Sequence, residues 1–182
     1  MGFDLKAEEV KSFEGQFYRF TQINGPITLV RFSHSGSGER GRLGRFWLYG
    51  DEVKEILVAG LGGLRTIKEI SQRWAICDDW GDKMLMSLMD IPPGEEIPAA
   101  WGRTAFQPKV KQASVRPTGR SYAGGSLQLI IPIIDTNMPP VVDRRISGLI
   151  TRRLQTATVV SNPPKYLENP WVTAQRKRGR NI

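Results

Sequence analysis

The sequence predicts an α+β domain over residues 1–142, a twisted and mainly antiparallel sheet with a few short helices. A basic C-terminal extension is expected over residues 143–182, a helix and then an extended tail. Three observations carry that expectation. Runs rich in β-branched and aromatic residues recur between Gly- and Pro-rich turns. Apolar spacings of three and four are confined to short stretches such as Thr66 to Ile76. The net charge of +8 is uneven: residues 143–182 carry +7 and the first 142 residues only +1.

The elements follow in order. Residues 1–13 read as a short helix or loose arm. Gln16–Phe20 and Ile27–Ser33 read as two strands, with Asn24-Gly25-Pro26 as the turn between them. A glycine-rich connector, HSGSGERGRLG, leads to a third strand at Arg45–Tyr49. Asp51 caps a helix through Val58, stopped by Gly60, Gly62 and Gly63. Thr66–Ile76 is helical, with Ile67, Ile70 and Trp74 on one side. Lys83–Asp90 is read as a strand, closed by the Ile91-Pro92-Pro93-Gly94 turn. Ile97–Trp101 is a short strand, Gln107–Arg120 a long loop, and LQLIIPII from Leu127 a buried strand. Beyond Pro139-Pro140, Asp143–Ala157 is expected to be a basic helix.

Composition excludes several classes. No run reaches the roughly 18 apolar residues of a membrane span, and the polar N-terminus is not a signal peptide. Lys6 breaks the myristoylation pattern that Met1-Gly2 begins. The single cysteine, Cys77, rules out an internal disulfide and reads as a small buried hydrophobe. A cytoplasm, the protein's own or one it is delivered into, fits best. One Cys and one His, His34, make no structural zinc site, so no metal is expected.

The motifs narrow further. Gly36–Gly41 fits GxGxxG, but a strand rather than a helix follows, so the dinucleotide fingerprint fails. No phosphate loop of the GxxxxGK[ST] type exists, and Asp78, Asp79 and Asp82 match no calcium-loop spacing. With one imidazole and no nucleophile placed beside it, no conventional triad can be built.

One ordered set of short motifs remains: Arg31-Phe32, GRFWL at 44–48, QRWAI at 72–76, IPPG at 91–94, WGRTAFQP at 101–108 and YAGGSLQLII at 122–131. In that order they resemble the NAD-cleaving toxin domains related to the tuberculosis necrotizing toxin, and more broadly ADP-ribosyltransferase-like toxins. The likeness spans about half of the chain. It implies an ADP-ribosyltransferase-like fold with NAD as substrate. Arg31 would grip the pyrophosphate. Phe46 or Trp47, with Arg45 beside them, would hold the nicotinamide end. Arg73 would be a second phosphate or ribose contact, and Gln128 would orient the ribose at the breaking bond. The chemistry would be nicotinamide loss through an oxocarbenium-like state, which rests on positioning rather than on a histidine base.

The departures from that pattern matter. Ser126 replaces a glycine of the terminal motif, and Ala75-Ile76-Cys77 stands for Ala-Leu-Pro. Gln rather than Glu at 128 implies hydrolysis over transfer, or a non-catalytic relative. A chain opening at Met1 is expected to lack a preceding delivery domain.

Two other readings stay open. The segment with Arg144, Arg145, Arg152, Arg153, Arg176, Lys177, Arg178 and Arg180 suits nucleic acid or an acidic protein partner. That would make this a non-catalytic nucleic-acid-binding protein of a plasmid, phage or other mobile element. Alternatively it is an assembly subunit whose tail wraps a neighbour.

Overall fold

The computed structural model describes residues 2–59, 64–76, 83, 85–107, 122–135 and 140–179. The elements run α1 (Ala7–Lys11), a 3-10 turn (Glu14–Gln16), β1 (Arg19–Asn24), β2 (Ile27–Ser33), α2 (Gly38–Arg42), β3 (Phe46–Tyr49), α3 (Gly50–Ala59) and α4 (Leu64–Arg73). Then come β4 (Leu85–Ile91), β5 (Glu96–Arg103), β6 (Leu127–Ile130), β7 (Ile134–Asp135), β8 (Val141–Val142), α5 (Arg144–Gly148), β9 (Ile150–Gln155), α6 (Thr156–Ser161), α7 (Pro163–Leu167) and α8 (Pro170–Gly179). The protein is α+β, as the sequence predicts. No helix among the described residues is long and apolar enough to cross a membrane.

Seven antiparallel strands form one curled sheet in the order β1-β5-β6-β3-β2-β4-β9. The strand β3 is shared between two halves. Its first residues, Phe46 and Trp47, pair with Ile130 and Leu129 of β6, while Leu48 and Tyr49 pair with Val30 and Leu29 of β2. The halves are joined again at a corner, where β1 runs into β2 and β4 into β5. The Gly25 amide donates to the Glu95 carbonyl there at 3.0 Å. A side chain at Gly25 would strike the Pro92 carbonyl, which explains the glycine.

This corner replaces an expected hairpin. β1 pairs with β5 and not with β2, although only Gly25 and Pro26 separate them. β1 also starts at Arg19 rather than Gln16, because Gly15 (φ 59°) and Gln16 (φ 60°) turn the chain in the left-handed region. The glycine-rich connector holds a short helix, α2.

Three apolar clusters follow from the curl. Leu29, Trp47, Met89, Ile97 and Leu129 come from both halves and fill its inside. Val30, Phe32, Leu48, Met86 and Leu88 lie on the opposite face of the β2–β4 half, against Val53, Ile70, Val159 and Leu167 of the helical side. Phe13 packs with Ala100 and Ile130, flanked by Phe3, Leu5 and Tyr18. Burying one such side chain contributes about 2 kcal/mol.

The C-terminal segment departs from its expected form. Asp143 caps α5 by accepting from the Ile146 amide at 3.0 Å, and that helix stops at Gly148. The chain then extends as β9 along β4. The basic helix expected over Asp143–Ala157 is therefore mostly strand, because the free backbone edge of β4 is satisfied by it. The expected extended tail is three short helices, two of which bury Val159 and Leu167 in the second cluster.

Asp90 fastens this segment. Arg152 grips it with both ends of its fork, Nε to Oδ2 at 2.8 Å and Nη2 to Oδ1 at 2.6 Å. The hydroxyls of Thr28 (2.7 Å) and Thr151 (2.5 Å) donate to the same carboxylate. The remaining Arg152 nitrogen donates to the Tyr166 carbonyl at 2.5 Å, tying in α7. We predict that Asp90→Ala lowers unfolding stability by about 3–5 kcal/mol, since it strands a paired, partly buried cation. Denaturant titration reads this directly, and a loss under about 1 kcal/mol would make the pair ornamental.

Candidate functional site

A cleft opens where the β2–β3 ladder ends. The two strands pair only at Leu29↔Tyr49 and Val30↔Leu48, and β2 then continues to Ser33 without β3. The gap is about 310 Å³ and is lined by Arg31, Phe32, Phe46, Leu48, Trp74 and Gln128, with His34, Ser37 and Lys83 at its margins. That volume sits at the lower end of the roughly 300–1,000 Å³ typical of small-ligand sites. Its walls are largely apolar, with a few polar groups among them.

Arg31 spans the gap. Its Nε donates to the Gly41 carbonyl at 2.8 Å and its Nη1 to the Phe46 carbonyl at 3.0 Å. No carboxylate among the described residues pairs with it. Burial therefore disfavours its charge and pulls its pKa down to about 10. The guanidinium stays cationic at neutral pH and is held by carbonyl dipoles alone, so it retains attraction for an anion.

Strand alternation separates the two aromatic candidates. Phe46 lines the cleft. Trp47 is fully buried in the inner core and donates its indole N–H to the Gly44 carbonyl at 2.8 Å. It is structural and cannot stack on a ligand, which corrects that expectation.

Gln128 lies in the cleft wall on β6. Its Nε2 donates to the Ser12 carbonyl at 3.0 Å and to the Ser12 hydroxyl at 2.8 Å. Both amide hydrogens are committed, so Oε1 is the atom left to accept from a ligand.

Two arginines expected at the site are elsewhere. Arg45 is buried, pairs with Glu9 at 3.2 Å and donates to the Asp4 carbonyl at 2.9 Å. It fastens the N-terminal segment and lines no cleft with Arg31. Arg73 is exposed, bonds Glu69 one helical turn back at 2.8 Å, and faces a separate concavity with Glu52 and Glu55. There burial and the neighbouring Glu55 raise the Glu52 carboxyl above its usual range.

Two cleft residues escaped the sequence reading. Trp74 was legible as a core residue, and its indole does donate to the Leu127 carbonyl at 2.7 Å. Nothing in a helical period signals that it also walls the cleft. Lys83, buried with φ 53°, is legible in the sequence only as the first residue of a strand, which the structure begins at Leu85.

The basic candidates of the C-terminal segment are scattered. Arg145 pairs with Glu95, Arg152 with Asp90 and Arg176 with Glu168. Arg144 is exposed, and Arg153 lies on the opposite face of β9 from Arg152. The side chains of Lys177 and Arg178, and Arg180 itself, lie outside the described residues, as do Cys77, Asp78, Asp79, Asp82 and most of the expected Gln107–Arg120 loop. No cluster of three His, Cys, Asp or Glu that could hold a metal occurs among the described residues.

Comparison with known protein families, with curated proteins and with solved structures finds no match. The site's chemistry therefore rests on its own geometry.

A side chain at Gly44 would overlap the Arg31 guanidinium. We predict that Gly44→Ala destabilises the fold by about 1–3 kcal/mol. Gly148→Ala, which would meet open space, should change stability by less than about 0.5 kcal/mol. Thermal unfolding of the two variants compares them, and equal melting would mean that Arg31 relocates freely.

Proposed function

We propose that this protein binds NAD in the split between β2 and β3 and cleaves its nicotinamide–ribose bond. It does so as a glycohydrolase or, given an acceptor, as an ADP-ribosyl transferase. The observation that supports this reading is convergence. Arg31, Phe46 and Gln128 come from three strands, the last of them distant in sequence from the other two, and all line one cleft. They are the residues that the resemblance to NAD-cleaving toxin domains assigned to pyrophosphate, nicotinamide and ribose.

Each group has work suited to it. Arg31 is an unneutralised cation for the pyrophosphate. Phe46 offers a ring against the pyridinium. The Oε1 of Gln128 accepts from a ribose hydroxyl and orients the sugar. The bond from ribose C1′ to the pyridinium nitrogen then breaks. Its electron pair stays on nitrogen, nicotinamide leaves neutral, and the positive charge passes to the ribose as an oxocarbenium ion. Water, or an acceptor hydroxyl or amine, adds to C1′ and releases one proton to solvent. A neutral Gln128 gives less charge stabilisation than a carboxylate, so slow turnover with water as acceptor is expected. The cleft encloses part of a dinucleotide, and the remainder lies across its open mouth.

The test is nicotinamide release from NAD, followed chromatographically. Arg31→Ala and Gln128→Ala should each lower kcat/KM about tenfold or more, in line with the roughly 1.5–3 kcal/mol of a hydrogen bond to a charged group for Arg31. Arg73→Ala, which lies outside the cleft, should match wild type. The reading fails if wild type releases no nicotinamide and calorimetry detects no NAD binding.

A further inference from the structure

The inner face of the β2–β4–β9 half-sheet carries a row of polar side chains where its neighbours are apolar. Cross-strand register places Arg31 opposite Ser87, and Ser87 opposite Arg153. Directly paired residues of antiparallel strands project to one face, so the three share it. Ser33 lies on the same face two residues beyond Arg31. The adjacent row on that face, Leu29, Met89 and Ile150, belongs to the inner core.

This row is unsatisfied. Ser87 is fully buried and Ser33 nearly so, and neither hydroxyl has a hydrogen-bond partner. The Nε and Nη2 of Arg153 are buried and also lack partners. Among the described residues, five buried side-chain nitrogens or oxygens are without a partner, and four of them belong to Ser33, Ser87 and Arg153. Native proteins satisfy the large majority of such groups, so a cluster of exceptions calls for a specific cause. The contrast on β9 is direct. Arg152, on the opposite face, has a bidentate carboxylate and a carbonyl, whereas Arg153 has neither.

The unsatisfied groups share one property. Guanidinium N–H groups only donate, and the two hydroxyls are free to donate. No carboxylate occupies a paired position on this face next to the row, where Leu85 and Gln155 are the neighbours. Such a lining rejects cations and suits a group that only accepts and carries more than one negative charge. We propose that Arg153, Ser87 and Ser33, with Arg31 flanking them, bind a phosphate or pyrophosphate group of a small ligand. Arg31 belongs both to this row and to the cleft wall, so the ligand's phosphates run from the cleft onto the half-sheet. The identification of that ligand as NAD rests on the function proposed above, whereas the phosphate site does not.

The 182-residue chain is titrated with inorganic pyrophosphate, ADP-ribose and the phosphate-free nicotinamide riboside, by calorimetry and thermal unfolding. Pyrophosphate and ADP-ribose should bind and raise Tm, and nicotinamide riboside should bind at least tenfold more weakly than ADP-ribose. Arg153→Met should weaken both phosphate ligands about tenfold, and Ser87→Ala about threefold, consistent with lost charged and neutral hydrogen bonds. In anion-free buffer Arg153→Met should melt no lower than wild type, because it removes an unpaired, partly buried cation. Arg152→Met, which breaks a satisfied pair, should melt lower. The proposal is overturned if Arg153→Met binds pyrophosphate as well as wild type does. It also fails if wild type binds neither phosphate ligand, or if only a single-stranded oligonucleotide binds in an Arg153-dependent way. ADP-ribose binding through Arg153 without NAD cleavage would keep this site and discard the enzyme. NAD cleavage indifferent to Arg153 would do the reverse.

Discussion

The interaction on which the rest of the structure depends is the bridge from Arg31 to the Phe46 carbonyl. A four-residue strand, β3, must serve two half-sheets. The Arg45 carbonyl accepts from Ile131 on the β6 side. Successive carbonyls of a strand point to opposite edges, so the Phe46 carbonyl faces β2. The β2 backbone has already diverged there, and the arginine fork closes the gap with a 3.0 Å bond. One substitution of side chain for backbone thus keeps a sheet intact while leaving a cleft beside it. It also dictates the connector. Gly41 presents its carbonyl to Nε and Gly44 stands clear of the guanidinium, so the glycine-rich run is shaped around a cation rather than around a dinucleotide.

The elements were legible where local pattern and tertiary role agreed. β2, β3, β4 and β6 are apolar or aromatic runs between turns, and α3 and α4 have helical spacing. Their assembly was less legible. Asn24-Gly25-Pro26 has the chemistry of a turn but makes a sheet corner, because the partner of β1 is supplied by β5, about 70 residues further on. The pair Arg152-Arg153 exposes the same limit. A helical reading places both on one basic flank. A strand puts one against Asp90 and the other on the inner face. Phe46 and Trp47 divide likewise, as neighbours on a strand must. For the candidate site, Arg31 and Gln128 share one ordered set of motifs in the sequence and line one cleft in the structure. Arg45 and Arg73 were misplaced because sequence does not reveal the acids, Glu9 and Glu69, that claim them.

Charge counted along the chain also overstates the charge available to a partner. The segment beyond Val142 carries +7, yet Arg145, Arg152 and Arg176 are paired with carboxylates that lie in part before it, Glu95 and Asp90 among them. The Glu95 and Asp90 pairs offset two of those charges by folding the segment onto the near-neutral part of the chain. Inside the fold, Arg31 and Arg153 have no carboxylate partner among the described residues. That is where a field in a low-dielectric setting acts most strongly on a small anion.

The N-terminal segment then decides what Gln128 can do. Arg45 grips Glu9 and the Asp4 carbonyl, Phe13 packs on Ala100 and Ile130, and Ser12 is thereby set against β6. Its carbonyl accepts from the Ala105 amide at 2.7 Å, and Nε2 of Gln128 supplies a second donor at 3.0 Å. A glutamate at this position has no hydrogen to give when ionised, so two acceptors would face each other inside the protein. The amide is therefore not an arbitrary replacement for a carboxylate. The way residues 3–13 close over the sheet favours glutamine, leaves Oε1 as its free acceptor, and suits position 128 to orienting a bound group rather than to stabilising charge.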